Sequence, residues 1–383
     1  MPPPAASEYD ESLPYWLRHA TLPGHKAHWE RAWKTLEDRE NARGNARSES
    51  CGHYPSLVTT LPPSTKLNKY YSVGKSFEEE KPYAANIDEF NIHCLPYDRT
   101  ATYSPLLYAK SMYLNANWVR ELHGGNWWIA TEAPYQRTEY EFFALFMQTH
   151  RIPLSRDVRR PRTIVQLNVS PEDGEVRHYL PPCDRYRIIE SSRKNEPRIK
   201  VTVLKEKEIP DMCCVQSTIR LVYYDPEPKD RELGGPVFVS HLHFIHWPDG
   251  AVPEKSEEKK SLLKFLFYVK KINEQPTPPD DSPEENEPPI VIHCQAGIGR
   301  TGTFIAMSSL LTLGIKDPPP LPGSQLGPIP APFSYDKIVK EVDSLREQRP
   351  LMVQNELQFE FIYKLFTKVY LQRKKQTKVK AKL

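Results

Sequence analysis

The sharpest change in the apolar and polar pattern falls at residues 290–314. A β-branched apolar run, Ile290-Val291-Ile292, ends in His293-Cys294, and a glycine-containing loop follows. From Thr303 to Leu313 the pattern becomes helical, with Phe304, Met307 and Leu311 on one face and Gly314 as the C-cap. Strand, tight loop and helix start are packed into about a dozen residues. Apolar alternation or apolar runs predict further strands at Thr163–Asn168, Ile199–Leu204, Gln216–Tyr224 and Val237–Ile245. Leu262, Leu263, Phe265, Leu266 and Val269 predict a broad-faced helix over Ser261–Asn273. Helices are also expected at His28–Arg43, with Trp33, Leu36 and the charges Glu37, Arg39, Glu40 and Arg43, and at Ser334–Arg346 and Glu356–Leu371.

Polar stretches divide these elements. Residues 1–27 read as a proline-containing lead-in, with Tyr15 and Trp16 as docking side chains. Surface insertions are expected near 44–85, 275–289 and 316–332, and a lysine-rich tail over 373–383. The 383 residues suit one large domain with extensions, or two domains. Proline, at 38 residues, exceeds the usual share of about 5%. A net charge of +3 gives no general affinity for nucleic acid. No apolar run approaches the ~20 residues of a membrane span, and Met1-Pro2-Pro3-Pro4 lacks the apolar core of a signal peptide. The six cysteines show neither metal-ligand spacing nor a disulfide framework, which suits a reducing, intracellular setting.

The loop after Cys294 carries candidate chemistry. Successive backbone N–H groups in such a loop make an anion cradle, and the following helix adds its positive end. A cysteine at its rim has its thiolate stabilised; full ionisation multiplies the nucleophile by roughly 30 over an ordinary thiol at neutral pH. The Arg300 fork matches two phosphate oxygens, and the Thr301 hydroxyl can donate to the sulfur as it leaves. Gly297, Gly299, Gly302 and Arg300 have no packing rationale beside a merely structural cysteine. A nucleophile on the floor of an anion cradle is a phosphoryl-transfer site.

The full run His293-Cys294-x-Ala296-Gly297-x-Gly299-Arg300-Thr301-Gly302 resembles the signature loop of the protein tyrosine phosphatases. Further segments resemble the family in order: Pro96-Tyr97-Asp98-Arg99-Thr100, Tyr113 to Asn117, Trp128 to Pro134, Thr138 to Phe143, Trp247-Pro248-Asp249 and Val353 to Phe359. The resemblance covers most of residues 28–371. It implies a domain over 28–372 of α/β class, a twisted mixed sheet flanked by helices, with the phosphate loop between a central strand and a helix. It implies a cytoplasmic, non-receptor phosphatase, with the nucleus as an alternative location, and no metal or cofactor.

Carried onto this chain, the resemblance makes Cys294 the nucleophile and Arg300 the phosphate fork. Thr301 assists the sulfur, and the backbone of Gln295, Ala296, Gly297, Ile298 and Gly299 binds the anion. Asp249, on the loop that Trp247 opens, is the general acid. Gln354, seconded by Gln358, orients the hydrolytic water, and His293 fixes the loop by hydrogen bonds. The family's pocket-wall tyrosine has no direct match: counting back from Pro96 gives Asn91, and a shifted alignment gives Phe90, which is the reading adopted. Asn355 replaces a Thr, Gln295 a Ser, and Glu132 and Ala133 also depart from the pattern. The family's lysine before Tyr179 falls on Glu175, with Arg177 as a substitute. The expected partners are phosphotyrosine proteins. Competing readings are a broader Ser/Thr or lipid phosphatase and a phosphotyrosine-binding pseudophosphatase. Pro319-Pro320-Leu321-Pro322 also fits a ligand for a proline-reading domain, and the lysine tail an acidic lipid surface or a nuclear address.

Overall fold

The computed structural model describes residues 13–50, 65–80, 94–107, 111–169, 178–193, 195–225, 231–275 and 287–380. Its strands in chain order are β1 (Ala101–Ser104), β2 (Met112–Arg120), β3 (Trp127–Thr131), β4 (His150–Arg151), β5 (Val158–Arg159), β6 (Thr163–Leu167), β7 (Tyr186–Ile189), β8 (Arg198–Ile209), β9 (Cys214–Asp225), β10 (Arg231–Phe244) and β11 (Ile290–His293). Among the described residues, β4 and β5 form a small ribbon. The rest form a nine-stranded mixed sheet in the order β1-β2-β3-β11-β6-β10-β9-β8-β7. Parallel pairing joins β3, β11, β6 and β10, and the flanking pairs are antiparallel.

The run Ile290-Val291-Ile292 sits inside this parallel core, buried on both faces as an interior parallel strand must be. Successive side chains face opposite ways. Ile290 and Ile292 join Trp128, Ala130, Val165, Leu242 and Phe244 on one face. Val291 joins Ile129, Ile164 and Val239 on the other.

Helices cover both faces: α1 (His25–Ser50), α2 (Thr65–Tyr70), α3 (Gly74–Glu80), α4 (Glu139–Met147), α5 (Ser256–Asn273), α6 (Gly299–Leu311), α7 (Lys337–Gln348) and α8 (Glu356–Lys380). The side of Ile290 packs residues of α1, α5, α6, α7 and α8. The opposite side packs Phe142, Phe143, Leu145 and Phe146 of α4. This is the α/β architecture with a flanked mixed sheet that the sequence led us to expect. No helix among the described residues is long and apolar enough to cross a membrane.

Several elements differ from the sequence reading. Helix α1 runs past Arg43 to Ser50, and α2 and α3 lie in the stretch expected as an excursion. The cause is a buried ionic seam. Arg39 Nη2 pairs with Asp343 Oδ2 at 2.9 Å, Arg43 Nη2 with Glu347 Oε1 at 2.7 Å, and Arg47 Nη1 with Glu40 Oε1 at 2.8 Å. Arg39 and Arg43 therefore tie α1 to α7, Arg47 braces α1 on itself, and the sequence pattern carries no mark of partners 304 residues away.

The lead-in turns as a 3-10 helix over Tyr15–Thr21, with Trp16 buried and Tyr15 exposed. Part of 316–332 is tied down, since Arg120 Nη1 donates to Pro319 O at 2.8 Å and Arg39 Nη2 to Gly327 O at 3.0 Å. Pro319, Pro320 and Pro322 stay exposed. Helix α8 continues through the lysine-rich tail to Lys380.

Candidate functional site

The loop after β11 is built by disposing of its carbonyls. Cys294 O lies 2.9 Å from His293 Nδ1, and Gln295 O accepts from Ala133 N–H at 2.8 Å. Ala296 O and Gly297 O accept from Arg349 Nη2 and Nε at 3.0 and 2.9 Å. Ile298 O accepts from Gly302 N–H at 2.8 Å and Val353 N–H at 3.2 Å. Every carbonyl from Cys294 to Ile298 thus has a partner, and a loop so held presents its N–H groups to an anion. Gly297 makes the shape possible: its φ is +69°, and a Cβ there would lie 2.0 Å from Thr131 O.

Helix α6 begins at Gly299, four residues before the apolar repeat marks it. Gly-Arg-Thr-Gly is a poor helix former, so periodicity cannot see this turn. The contacts to Ile298 O impose it. Its consequence is to place Arg300 and Thr301 in the first helical turn, beside Cys294.

His293 is fully buried, and burial pulls its pKa down to about 4, so the ring is neutral. Its Nδ1 faces only a carbonyl, which assigns the proton to Nδ1. Its Nε2, 2.9 Å from the Tyr179 hydroxyl, then accepts. Tyr179 is in turn held 3.0 Å from His241 Nε2. His293 is a strut under the loop with no proton to exchange near neutral pH.

Cys294 is buried at 2% exposure. Burial alone pushes its thiol up. The Arg300 guanidinium, the Thr301 hydroxyl and the N–H groups of Thr301 and Ile298 outweigh that and hold the pKa below the ordinary value. The buried Thr301 hydroxyl lies beside the Cys294 sulfur and is one of the groups that hold its pKa down.

Arg300 is fully buried and spans from the cradle to the loop after β10. Its Nη1 donates to Trp247 O at 2.8 Å and its Nη2 to Asp249 Oδ1 at 2.7 Å. Trp247 packs against Phe244 and Phe361 and donates from Nε1 to Ala251 O at 2.9 Å. The indole therefore anchors the loop, and only its backbone carbonyl meets the site. Asp249 remains about half exposed on that loop.

Gln354 and Gln358 lie over Gly299: a Cβ there would meet Gln354 Oε1 at 2.9 Å and Gln358 Nε2 at 3.0 Å. Gln354 N–H donates to Gln358 Oε1 at 3.0 Å, and Gln358 Nε2 is buried with no hydrogen-bond partner. Gln295 is exposed and Ala296 half-buried. The structure thus brings Cys294, Gln295, Ala296, Gly297, Ile298, Gly299, Arg300, Thr301, Trp247, Asp249, Gln354 and Gln358 together. Phe90, Asn91, Glu175 and Arg177 lie outside the described residues.

Two residues escaped the sequence reading. Arg349, fully buried, grips two cradle carbonyls and also Asn117 Oδ1 at 2.8 Å and Asn115 Oδ1 at 3.1 Å. The asparagines were visible as a motif, and two buried amides on one strand were the available hint that a fork must meet them. Asn355, noted only as a departure, donates from Nδ2 to Gly250 O at 2.9 Å and accepts Gln358 N–H at 2.9 Å. It joins the glutamine segment to the loop of Asp249.

Residues 91–368, well over half of the chain, match the family model described as protein-tyrosine phosphatase, and the chain belongs to that family. Receptor-type tyrosine-protein phosphatase epsilon of Rattus norvegicus is 30% identical over 267 residues, 68% of this chain and 30% of that protein. Receptor-type tyrosine-protein phosphatase H of Homo sapiens is 26% identical over 344 residues, 88% of this chain and 25% of that protein. Tyrosine-protein phosphatase 1 of Caenorhabditis elegans is 26% identical over 264 residues, 67% of this chain and 20% of that protein. The chain spans less than a third of the length of each of these relatives.

Proposed function

We propose that this chain is a protein-tyrosine-phosphate phosphohydrolase working through a cysteinyl-phosphate intermediate. The observation that carries this reading is the cradle itself: carbonyls all partnered, an acidified thiol at its floor, and Arg300 reaching from it to Asp249. In the first step the Cys294 thiolate attacks phosphorus, the S–P bond forms and the P–O bond to the phenolic oxygen breaks. Asp249, as the carboxylic acid, gives that oxygen its proton, a contribution of typically 10²–10⁴-fold. In the second step the Asp249 carboxylate takes a proton from a water held by Gln354 and Gln358. The water oxygen bonds to phosphorus, the S–P bond breaks, and the thiolate and inorganic phosphate are released. Arg300 and the loop N–H groups bind the equatorial oxygens throughout, where charge concentrates in the transition state.

The substrate class is a phosphotyrosine-bearing protein, as in the names of the relatives. By the family resemblance, Phe90 is the candidate for the ring that would make the pocket deep enough for an aryl phosphate. A reducing, cytoplasmic location suits a working thiolate, and Cys94, Cys183, Cys213, Cys214 and Cys294 are all free. The exposed prolines at 319–322 would suit a proline-reading partner.

Purified protein assayed against phosphotyrosine, phosphoserine and phosphoinositide substrates tests the reading. It requires turnover of the first and little of the others. Comparable rates on phosphoserine would replace it with the broader activity and move the pocket wall to Asn91.

A further inference from the structure

On the helical side of the sheet, three side chains from separate elements converge. His19 comes from the 3-10 turn, His28 from α1, and Asp336 is the residue that caps α7. The two imidazoles lie face to face, centroids 3.8 Å apart and tilted by 33°. Their Nε2 atoms stand 3.8 and 3.7 Å from the same oxygen, Asp336 Oδ2. One potential ligand atom from each residue falls within 4.8 Å of the other two.

These separations are too long for hydrogen bonds. They approach the ~3.4 Å between ligands on a tetrahedron of 2.0–2.2 Å bonds. Both ring nitrogens of His19, and Nε2 of His28, are buried with no hydrogen-bond partner. Buried polar atoms are rarely left so.

We propose that His19, His28 and Asp336 form a divalent transition-metal site, of the kind that takes zinc, which fastens the N-terminal turn to α1 and α7. Two imidazoles and one carboxylate suit zinc better than magnesium or calcium, which take oxygen shells. A water completes four-coordination.

The surroundings prepare the ligands. Neither ring nitrogen of His19 is engaged by a hydrogen bond, so both are open to a ligand. Asp336 is held in place on all sides. Its Oδ1 accepts from Ile338 N–H at 2.9 Å and Val339 N–H at 3.2 Å, and its Oδ2 from the Tyr363 hydroxyl at 2.6 Å. Such outer hydrogen bonds orient a ligating carboxylate. His25 lies outside the set, since the convergent ligand atoms are those of His19, His28 and Asp336 alone among the described residues. None of these residues belongs to the cradle, so the proposal stands apart from the phosphatase reading.

The test is zinc binding to the full chain carrying Cys294→Ser, which removes the reactive thiolate as a competing ligand. Equilibrium dialysis should find one zinc per chain at micromolar free metal. His19→Ala and His28→Ala should each weaken it by more than about 100-fold, beyond the 10–100-fold of an outer-shell loss, while His25→Ala leaves it unchanged. Zinc should also raise the melting temperature and protect the segment before His25 from protease. Cobalt supplies a readout that needs no histidine variant. The chain with both histidines intact should show the intense visible bands of a four-coordinate ion, bleached by zinc. Absence of those bands, or zinc binding undiminished in the His19→Ala/His28→Ala double variant, overturns the site.

Discussion

Arg300 donates one nitrogen to Asp249 and the other to the carbonyl of Trp247, at 2.7 and 2.8 Å. One buried fork therefore binds the proposed acid and the anchored end of its loop together. An incoming phosphate needs the same fork. On the proposed mechanism its arrival would re-partner Arg300 and release the Asp249 carboxyl toward the leaving oxygen, coupling substrate binding to acid delivery through one side chain.

Asp249→Ala should lower kcat by roughly 10²–10⁴ with KM similar or lower. The loss should shrink for an aryl phosphate whose phenol needs no proton to leave. Steady-state kinetics over substrates of graded leaving-group acidity checks this. An equal loss across the series would reduce Asp249 to a loop residue.

Asn355→Ala should free Gly250 O and loosen the acid loop while leaving the cradle intact. Its mark is a kcat loss for poor leaving groups with phosphate affinity unchanged. An Asn355→Ala variant that loses phosphate affinity instead would show that Asn355 supports the cradle rather than the loop.

Arg349→Met should strip partners from Ala296 O, Gly297 O and two asparagine amides, each unmet buried group costing about 1–3 kcal/mol. Thermal unfolding should shift down. Vanadate affinity should fall as well, because the carbonyls no longer face outward. Lower stability with full vanadate affinity would confine Arg349 to packing.

The thiol should be reactive well into mildly acidic solution. The cradle lowers the Cys294 pKa, so the thiolate persists as pH falls below the range where an ordinary thiol has already taken its proton. Iodoacetate inactivation measured against pH should have its midpoint below the free-thiol value, and Arg300→Met should move that midpoint up. His293 is neutral throughout this range and adds no second inflection. A midpoint at the free-thiol value in the unaltered protein would mean that burial, not the guanidinium, dominates.

What the sequence made legible follows from how local each signal is. Cys294, the glycines and Arg300 are contiguous, so loop and chemistry could be read together. Strands β6, β8, β9, β10 and β11 announced themselves by apolar runs, although β8 and β10 extend beyond them because pairing carries polar residues such as Lys205 and Glu232 into the ladder. Arg349 was silent, since its partners lie 232 and 234 residues away on β2 and 52 and 53 residues away in the cradle. The ion pairs of Arg39 and Arg43 with α7 were silent for the same reason, because their counter-charges lie 304 residues away. His19 and His28 carry no metal-ligand spacing to Asp336, and only the fold brings them within reach.

The central claim is a phosphate bond to the Cys294 sulfur during turnover. Acid-quenching the enzyme within milliseconds of mixing with a phosphotyrosine peptide, followed by mass-spectrometric mapping, tests it directly. Gln354→Ala, which on this mechanism would slow the water step, should raise the trapped fraction. The account predicts phosphate on the fragment containing Cys294, absent in Cys294→Ser together with all turnover. Near-normal turnover by Cys294→Ser, or steady hydrolysis with no phosphate on that fragment, would contradict it.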